Sequence, residues 1–166
     1  MYKVIRNEYI GEDMYLMEVN GKFKGEMGQF YMIRAWDNYP LLSRPISIHD
    51  INENSISFLY KVVGEGTKIL SKLKVDDTIK LEGPYGNGYE KVEGRVALVG
   101  GGIGIAPLYL VAKNIHNCDA YLGFRKEPIL IDKYEEFCNE VNVAIGDTFV
   151  TDIIDVEKYD YILTCG

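Results

Sequence analysis

The run GGGIGIAPL, Gly100 to Leu108, has the residue types and spacing best suited to chemistry. It follows a short apolar stretch, RVALV, and opens a segment with helical periodicity, IAPLYLVAKNI. A glycine-rich turn between strand and helix lets the backbone approach a pyrophosphate, because no Cβ stands in the way. Gly102 and Gly104 supply that freedom here. The helix start adds unpaired N–H groups and the positive end of a dipole. Pro107 stands where a dinucleotide-binding fingerprint has its third glycine, and proline suits a first helical turn, where its missing N–H has no partner to lose. The chemistry expected is the holding of a nucleotide. A tight strand-to-helix turn without ligand has the same local pattern.

Two further segments carry groups that would recognise a phosphate or a flat ring. In LLSRPISIHD, Arg44 offers a guanidinium fork to a pyrophosphate and Ser47 a hydroxyl to a flavin ring nitrogen, while Pro45 keeps the stretch extended. A charged residue beside proline on a surface edge strand is the plainer reading of the same residues. In YKVVGEGTKIL, Gly64, Gly66 and Thr67 precede a helical run and form a second candidate anion site. Thr67 is equally an ordinary N-cap.

The elements that must position these segments fall into two groups. MYKVIRNEYI, DMYLMEVN, GQFYMIRAW, SRPISIHDI, SISFLYKVV and DTIKLEGP are strand-length runs separated by turn material, the pattern of a closed antiparallel barrel. One helical stretch, GTKILSKL, interrupts them. After GPYGNGYEKVEG the order becomes strand, helix, strand, helix, strand, which means a parallel sheet with crossovers. The expected division is a β-barrel over residues 1–92 and an α/β unit over residues 93–166. The last run, Tyr159 to Cys165, reads as a buried strand with no covering helix after it, so the α/β unit is expected to be C-terminally incomplete.

Composition narrows the function classes. The chain has 166 residues and a formal net charge of -7, which opposes general nucleic-acid binding. Three cysteines without a close sequence pair argue against a disulfide framework or a tetrahedral zinc site. The N-terminus lacks an apolar signal core and no window approaches spanning length, so a cytoplasmic protein without membrane contact is expected.

Taken in order, Arg-Pro-x-Ser in a barrel, Gly-x-Gly-Thr at a helix start and a glycine-rich parallel unit resemble the ferredoxin–NAD(P) reductase superfamily over essentially the whole chain. LLSRPISI, GEGTKIL and GPYGNGY are most similar to the electron-transfer subunits of two-subunit, NAD-linked dihydroorotate dehydrogenases. The resemblance implies a Greek-key FAD-binding barrel followed by a partial NAD-binding domain. It implies that Arg44, Pro45, Ile46 and Ser47 hold the flavin and its phosphates, that Leu59, Tyr60 and Lys61 lie along the flavin, and that Gly66 and Thr67 meet the diphosphate. It places Gly101, Gly102, Gly104 and Pro107 against the nicotinamide nucleotide and Cys165 near flavin and nicotinamide. FAD and NAD are the cofactors implied, with a two-iron two-sulfur cluster only if the complete chain extends beyond residue 166. The implied partner is a catalytic dehydrogenase subunit in a hetero-oligomer, oxidising dihydroorotate in pyrimidine biosynthesis. An NADPH–ferredoxin or sulfide-linked oxidoreductase subunit and a non-catalytic flavin- or nucleotide-binding module are the alternatives.

Other reactive types read as structural. His49 and His116 are expected as surface or packing residues, Cys118 and Cys138 as core fillers on a strand edge and a helix. Arg125 and Lys126 in GFRKEP would suit a 2′-phosphate, but Glu127 beside them favours NAD over NADP.

Overall fold

Turn chemistry decides how the first strands meet. A computed structural model describes all residues, Met1–Gly166. Glu12 and Asp13 both take positive φ, 50° and 61°, so β1 (Tyr2–Gly11) reverses directly into β2 (Met14–Asn20). Two such residues in succession make a primed hairpin turn, whose twist matches that of the strands. With β3 (Phe30–Arg34), β4 (Arg44–Ser47), β5 (Asp50–Asn52), β6 (Ser55–Lys61) and β7 (Thr78–Tyr85) they form one antiparallel sheet in the order β4-β3-β7-β1-β2-β6-β5. The six-residue α1 (Glu65–Leu70) lies in the connection from β6 to β7.

SRPISIHDI, expected as one strand, is a bent run with two partners. β4 pairs with β3 and β5 with β6. At the bend the Ile48 N–H donates to Gln29 O and the His49 N–H to Ser57 O, each at 2.9 Å. The bend therefore carries the chain from one edge of the sheet to the other. The sheet curls like a barrel, but β4 and β5 remain its edges, so the closed barrel expected from strand spacing is corrected to an open, barrel-like sheet. Strand spacing marks out strand-length runs, and says nothing of where a run bends to a second partner or whether the last ladder forms.

The second sheet is parallel: β8 (Val96–Gly101), β9 (Cys118–Phe124), β10 (Val141–Ile145) and β11 (Tyr161–Cys165), in the order β10-β9-β8-β11. The order reverses between β8 and β11, and ligands of such sheets settle at the carboxyl ends of the strands at that point. α2 (Ile105–Asn114) follows β8, and its residues from Ile105 to Ala112 are buried because the helix lies between the parallel sheet and the barrel-like one. A single cluster of 31 buried hydrophobic residues runs through both sheets. α4 (Val150–Ile153) precedes β11. No helix is long and apolar enough to cross a membrane.

Three local expectations are corrected. The helix expected over DKYEEFCNEV is only α3 (Ile131–Glu135), because the Asn139 N–H donates to Cys118 O and draws the chain out of the helix towards β10. Cys138 therefore lies beyond the helix, and its Sγ is 3.8 Å from that of buried Cys118, although the two are far apart in sequence. β11, expected to be buried, is an edge strand with Tyr161 and Ile162 each 43% exposed.

Candidate functional site

The bend at Ile48–His49 and the loop after β8 bring most of the residues expected from the sequence to one place. A cavity of about 360 Å³ opens at the seam of the two sheets. Its barrel-side wall is Arg44 to Ser47 from β4 and Leu59 to Lys61 from β6, with Thr67 of α1 at one end. The facing wall is Ile103, Gly104, Ala106 and Pro107 at the start of α2, with Cys165 and Gly166 at the tip of β11. Gly66, Gly101 and Gly102 are not part of its lining.

Part of the polar surface on the barrel side is uncommitted. The Ser47 hydroxyl makes no hydrogen bond within the protein and Lys61 makes no ion pair. Arg44 uses Nη1 on the carbonyls of Leu42 and Ser43, at 2.9 and 3.5 Å, which leaves Nε and Nη2 unpaired. Its guanidinium lies 5.8 Å from the centroid of the Trp36 ring, and Arg34 stands at the same distance. Gly66 lies directly under this arginine, since a Cβ there would stand 2.5 Å from Arg44 Nε and 2.9 Å from Trp36 Cη2. The chain's only tryptophan and Arg34, which holds the carbonyls of Trp36, Asp37 and Leu41, escaped the sequence reading. The signal was weak: an Arg-x-Trp pair at a strand end.

Two expected roles change in kind. Tyr60 is buried, its hydroxyl donates to Asn7 Oδ1 at 2.9 Å and its ring stacks on Tyr15, so its side chain serves the core. The Thr67 hydroxyl accepts from the amides of Val63 and Gly64 and donates to Gly64 O, an N-terminal cap. α1 has only six residues and adds little dipole, so the cationic groups on this wall are the side chains of Arg44 and Lys61.

The glycines of the turn between β8 and α2 also divide by cause. Gly102 has φ +53°, where a side chain is strained, and nothing stands within 4 Å of a Cβ at Gly101 or Gly102. Their outer faces are open to a ligand. Gly104 is different: its φ of −60° suits any residue, but a Cβ would fall 2.1 Å from Cys165 O. This glycine is required by the backbone of β11 passing over it, a cause the motif does not reveal.

His49, expected as a packing or surface residue, packs across the seam. Its Nδ1 is 2.8 Å from Ala106 O, so this nitrogen carries the proton and donates, and the ring stacks on Tyr109 with centroids 4.7 Å apart. The barrel corner is thereby fixed to the first turn of α2, next to Pro107. Burial pushes the imidazole down to about 4, against the opposing effects of the Ala106 bond and the Asp50 carboxylate. The unfolded chain takes up this proton near about 6.5. Between those values the unfolded state binds more protons, so stability is fully present above the upper one and is lost as pH falls through the window. His49→Gln, which keeps a donor for Ala106, should remove on the order of 2 kcal/mol of that dependence. Urea melts at about pH 7 and about pH 4.5 measure it; an unchanged difference would assign the acid sensitivity to other groups.

Comparison with known proteins follows the same lines. No family model matches the chain. The dihydroorotate dehydrogenase B (NAD(+)), electron transfer subunit, of Clostridium acetobutylicum is 46% identical over 174 residues, covering 99% of this chain and 71% of that protein. The protein of the same name in Clostridium perfringens is 38% identical over 178 residues, covering 99% and 72%. Among solved structures, an NADH-dependent reduced ferredoxin–NADP oxidoreductase superposes with a TM-score of 0.81 at 31% identity, over 92% of this chain and 61% of that one. The FAD/NAD-binding domain of nitric oxide dioxygenase from Vibrio cholerae shares the fold, with a TM-score of 0.78 at 15% identity over 97% and 85% of the two chains.

Proposed function

The chain belongs to the family of dihydroorotate dehydrogenase B (NAD(+)) electron transfer subunits, and we propose that it passes electrons between NAD(H) and a partner dehydrogenase by way of FAD. The observation that carries this reading is the seam cavity, where the Arg44–Ser47 wall faces the start of α2 and the tip of β11. One wall suits a flavin and the other a nicotinamide nucleotide, so the two redox rings meet where the two sheets meet.

On this reading residues 1–92 carry FAD and residues 93–166 carry the nucleotide. The cavity fits a flavin: Ile46 and Leu59 supply apolar surface for a planar ring, Ser47 an uncommitted hydroxyl for its polar edge, and Arg44 two free donors for its phosphates. Leu59, Tyr60 and Lys61 line the same wall, and Gly66 and Thr67 flank Arg44. Gly101 and Gly102 leave room for a pyrophosphate, while Gly104, Pro107 and Cys165 border the nicotinamide. Bound FAD supplies the exchange between two-electron and one-electron chemistry that no side chain provides. The chain's own part is to hold both groups at one seam, and His49 fixes its spacing. The partner in this reading is the catalytic subunit oxidising dihydroorotate in pyrimidine biosynthesis, in the cytoplasm. A two-iron two-sulfur cluster enters only if the complete protein extends past residue 166.

The purified protein is expected to show flavin bands, to release FAD on denaturation, and to be bleached by NADH in the absence of oxygen. A colourless protein that takes up no added FAD would overturn the proposal. Bands that NADH leaves unchanged would reduce the chain to a flavin-binding module. Bleaching by NADPH in preference would favour the NADPH–ferredoxin oxidoreductase alternative.

A further inference from the structure

The β1–β2 turn of the barrel-like sheet touches the other sheet at a chemically specific place. Glu12 extends its carboxylate to the loop that follows β9, where Oε1 accepts the backbone N–H of Lys126 and, at 3.3 Å, that of Glu127. Two successive backbone amides pointing one way form a nest for an anion, and here a carboxylate from the barrel occupies it. The Glu127 side chain turns back over the same hairpin, and its Oε1 would be 3.1 Å from a Cβ at Gly11. Arg125 and Lys126 are exposed and take part in none of the protein's ion pairs. The corner thus holds two cations, Arg125 and Lys126, against three carboxylates, Glu12, Asp13 and Glu127.

In a parallel sheet of this order the loop after the second strand, about twenty residues past the glycine turn, meets the adenine ribose. An acidic group there accepts hydrogen bonds from the ribose hydroxyls, whereas an arginine with free donors accommodates a 2′-phosphate. β9 is the second strand, and its loop carries both chemistries. We infer that Glu12, a residue of the barrel hairpin, is the determinant that excludes a 2′-phosphorylated dinucleotide from the α/β unit. It acts twice, by filling the amide nest that a phosphate would use and by adding negative charge beside Arg125 and Lys126. Its backbone agrees with a role beyond the turn itself: Glu12 has φ 50°, a position where glycine or asparagine would be less strained. The inference rests on the dinucleotide-binding reading above and adds to it the residue that sets cofactor choice.

Glu12→Gln tests charge apart from shape, because the amide oxygen of glutamine still accepts both backbone N–H groups. Titration calorimetry of the flavin-loaded protein with NAD+, NADP+ and adenosine 2′,5′-bisphosphate gives binding without turnover, and kcat/KM for NADH and NADPH gives a second readout. In Glu12→Gln the affinity for NADP+ relative to NAD+ is expected to rise about tenfold, with NAD+ binding little changed. Glu12→Gly, which also frees the amides, should raise it further. A ratio that moves less than about twofold in both variants would overturn the assignment and leave Glu12 a structural clamp. An unaltered protein that binds neither dinucleotide would overturn the nucleotide reading itself, and this determinant with it.

Discussion

Gly104→Ala is expected to destabilise the protein by about 3 kcal/mol or more and to abolish NADH-dependent bleaching of the flavin. The cause is geometric. An added Cβ would stand 2.1 Å from Cys165 O, 2.5 Å from Cys165 C and 2.7 Å from Gly166 Cα. All three are backbone atoms, so no rotamer change relieves the overlap; either the tip of β11 lifts or the glycine loop drops. Both movements spoil the cavity, because Gly104 and Cys165 line it together. Gly101→Ala is the matched control. Gly101 is extended, with φ −118° and ψ 132°, and nothing lies within 4 Å of its Cβ position. Its melting temperature should stay within about 2 °C of the parent, while its affinity for NADH falls, because the new methyl enters the space a pyrophosphate would use. Thermal melts and anaerobic titration with NADH separate the two effects. If Gly104→Ala melts like the parent, the backbone of Cys165–Gly166 is not held over this loop, and the place of β11 at the cavity is lost.

The same residue shows what the sequence discloses and what it conceals. GGGIGIAPL after an apolar strand was enough to place a strand, a glycine turn and a helix, since period and turn chemistry are local. That Gly104 is needed because residue 165 crosses it is not local, and no pattern within the motif encodes it. The Arg44–Ser47 segment was legible by residue type, but its change of partner at Ile48–His49 depends on where β3 and β6 lie. His49 looked inert for the same reason: its role is set by Ala106 and Tyr109, far along the chain. Glu12 gave no signal at all, because a glutamate in a hairpin turn is ordinary until the other sheet is seen against it. α3 was overestimated because amphipathic period counts residues and omits the pull of the β9–β10 ladder.

Arg44→Ala is expected to weaken FAD retention about a hundredfold, the effect of losing a charge-assisted, two-pronged contact to phosphate. Its hydrogen-bond partners within the protein are only the carbonyls of Leu42 and Ser43 just ahead of it, and Arg44 takes part in no ion pair, so the fold should persist. The guanidinium is held ready by stacking on Trp36 and by the bare Cα of Gly66 beneath it. Two further variants distinguish charge from placement. Arg44→Lys keeps the charge but loses the planar fork and most of the stacking, and should recover only part of the affinity. Gly66→Ala keeps the arginine but puts a methyl 2.5 Å from its Nε, forcing the guanidinium off the ring, and should weaken FAD in the same direction as Arg44→Ala. Equilibrium dialysis of apoprotein with FAD, with circular dichroism to confirm folding, measures all three. If Arg44→Ala folds and binds FAD as tightly as the parent, the phosphates are held elsewhere. If only Gly66→Ala retains full affinity, the arginine binds without needing its seat against Trp36.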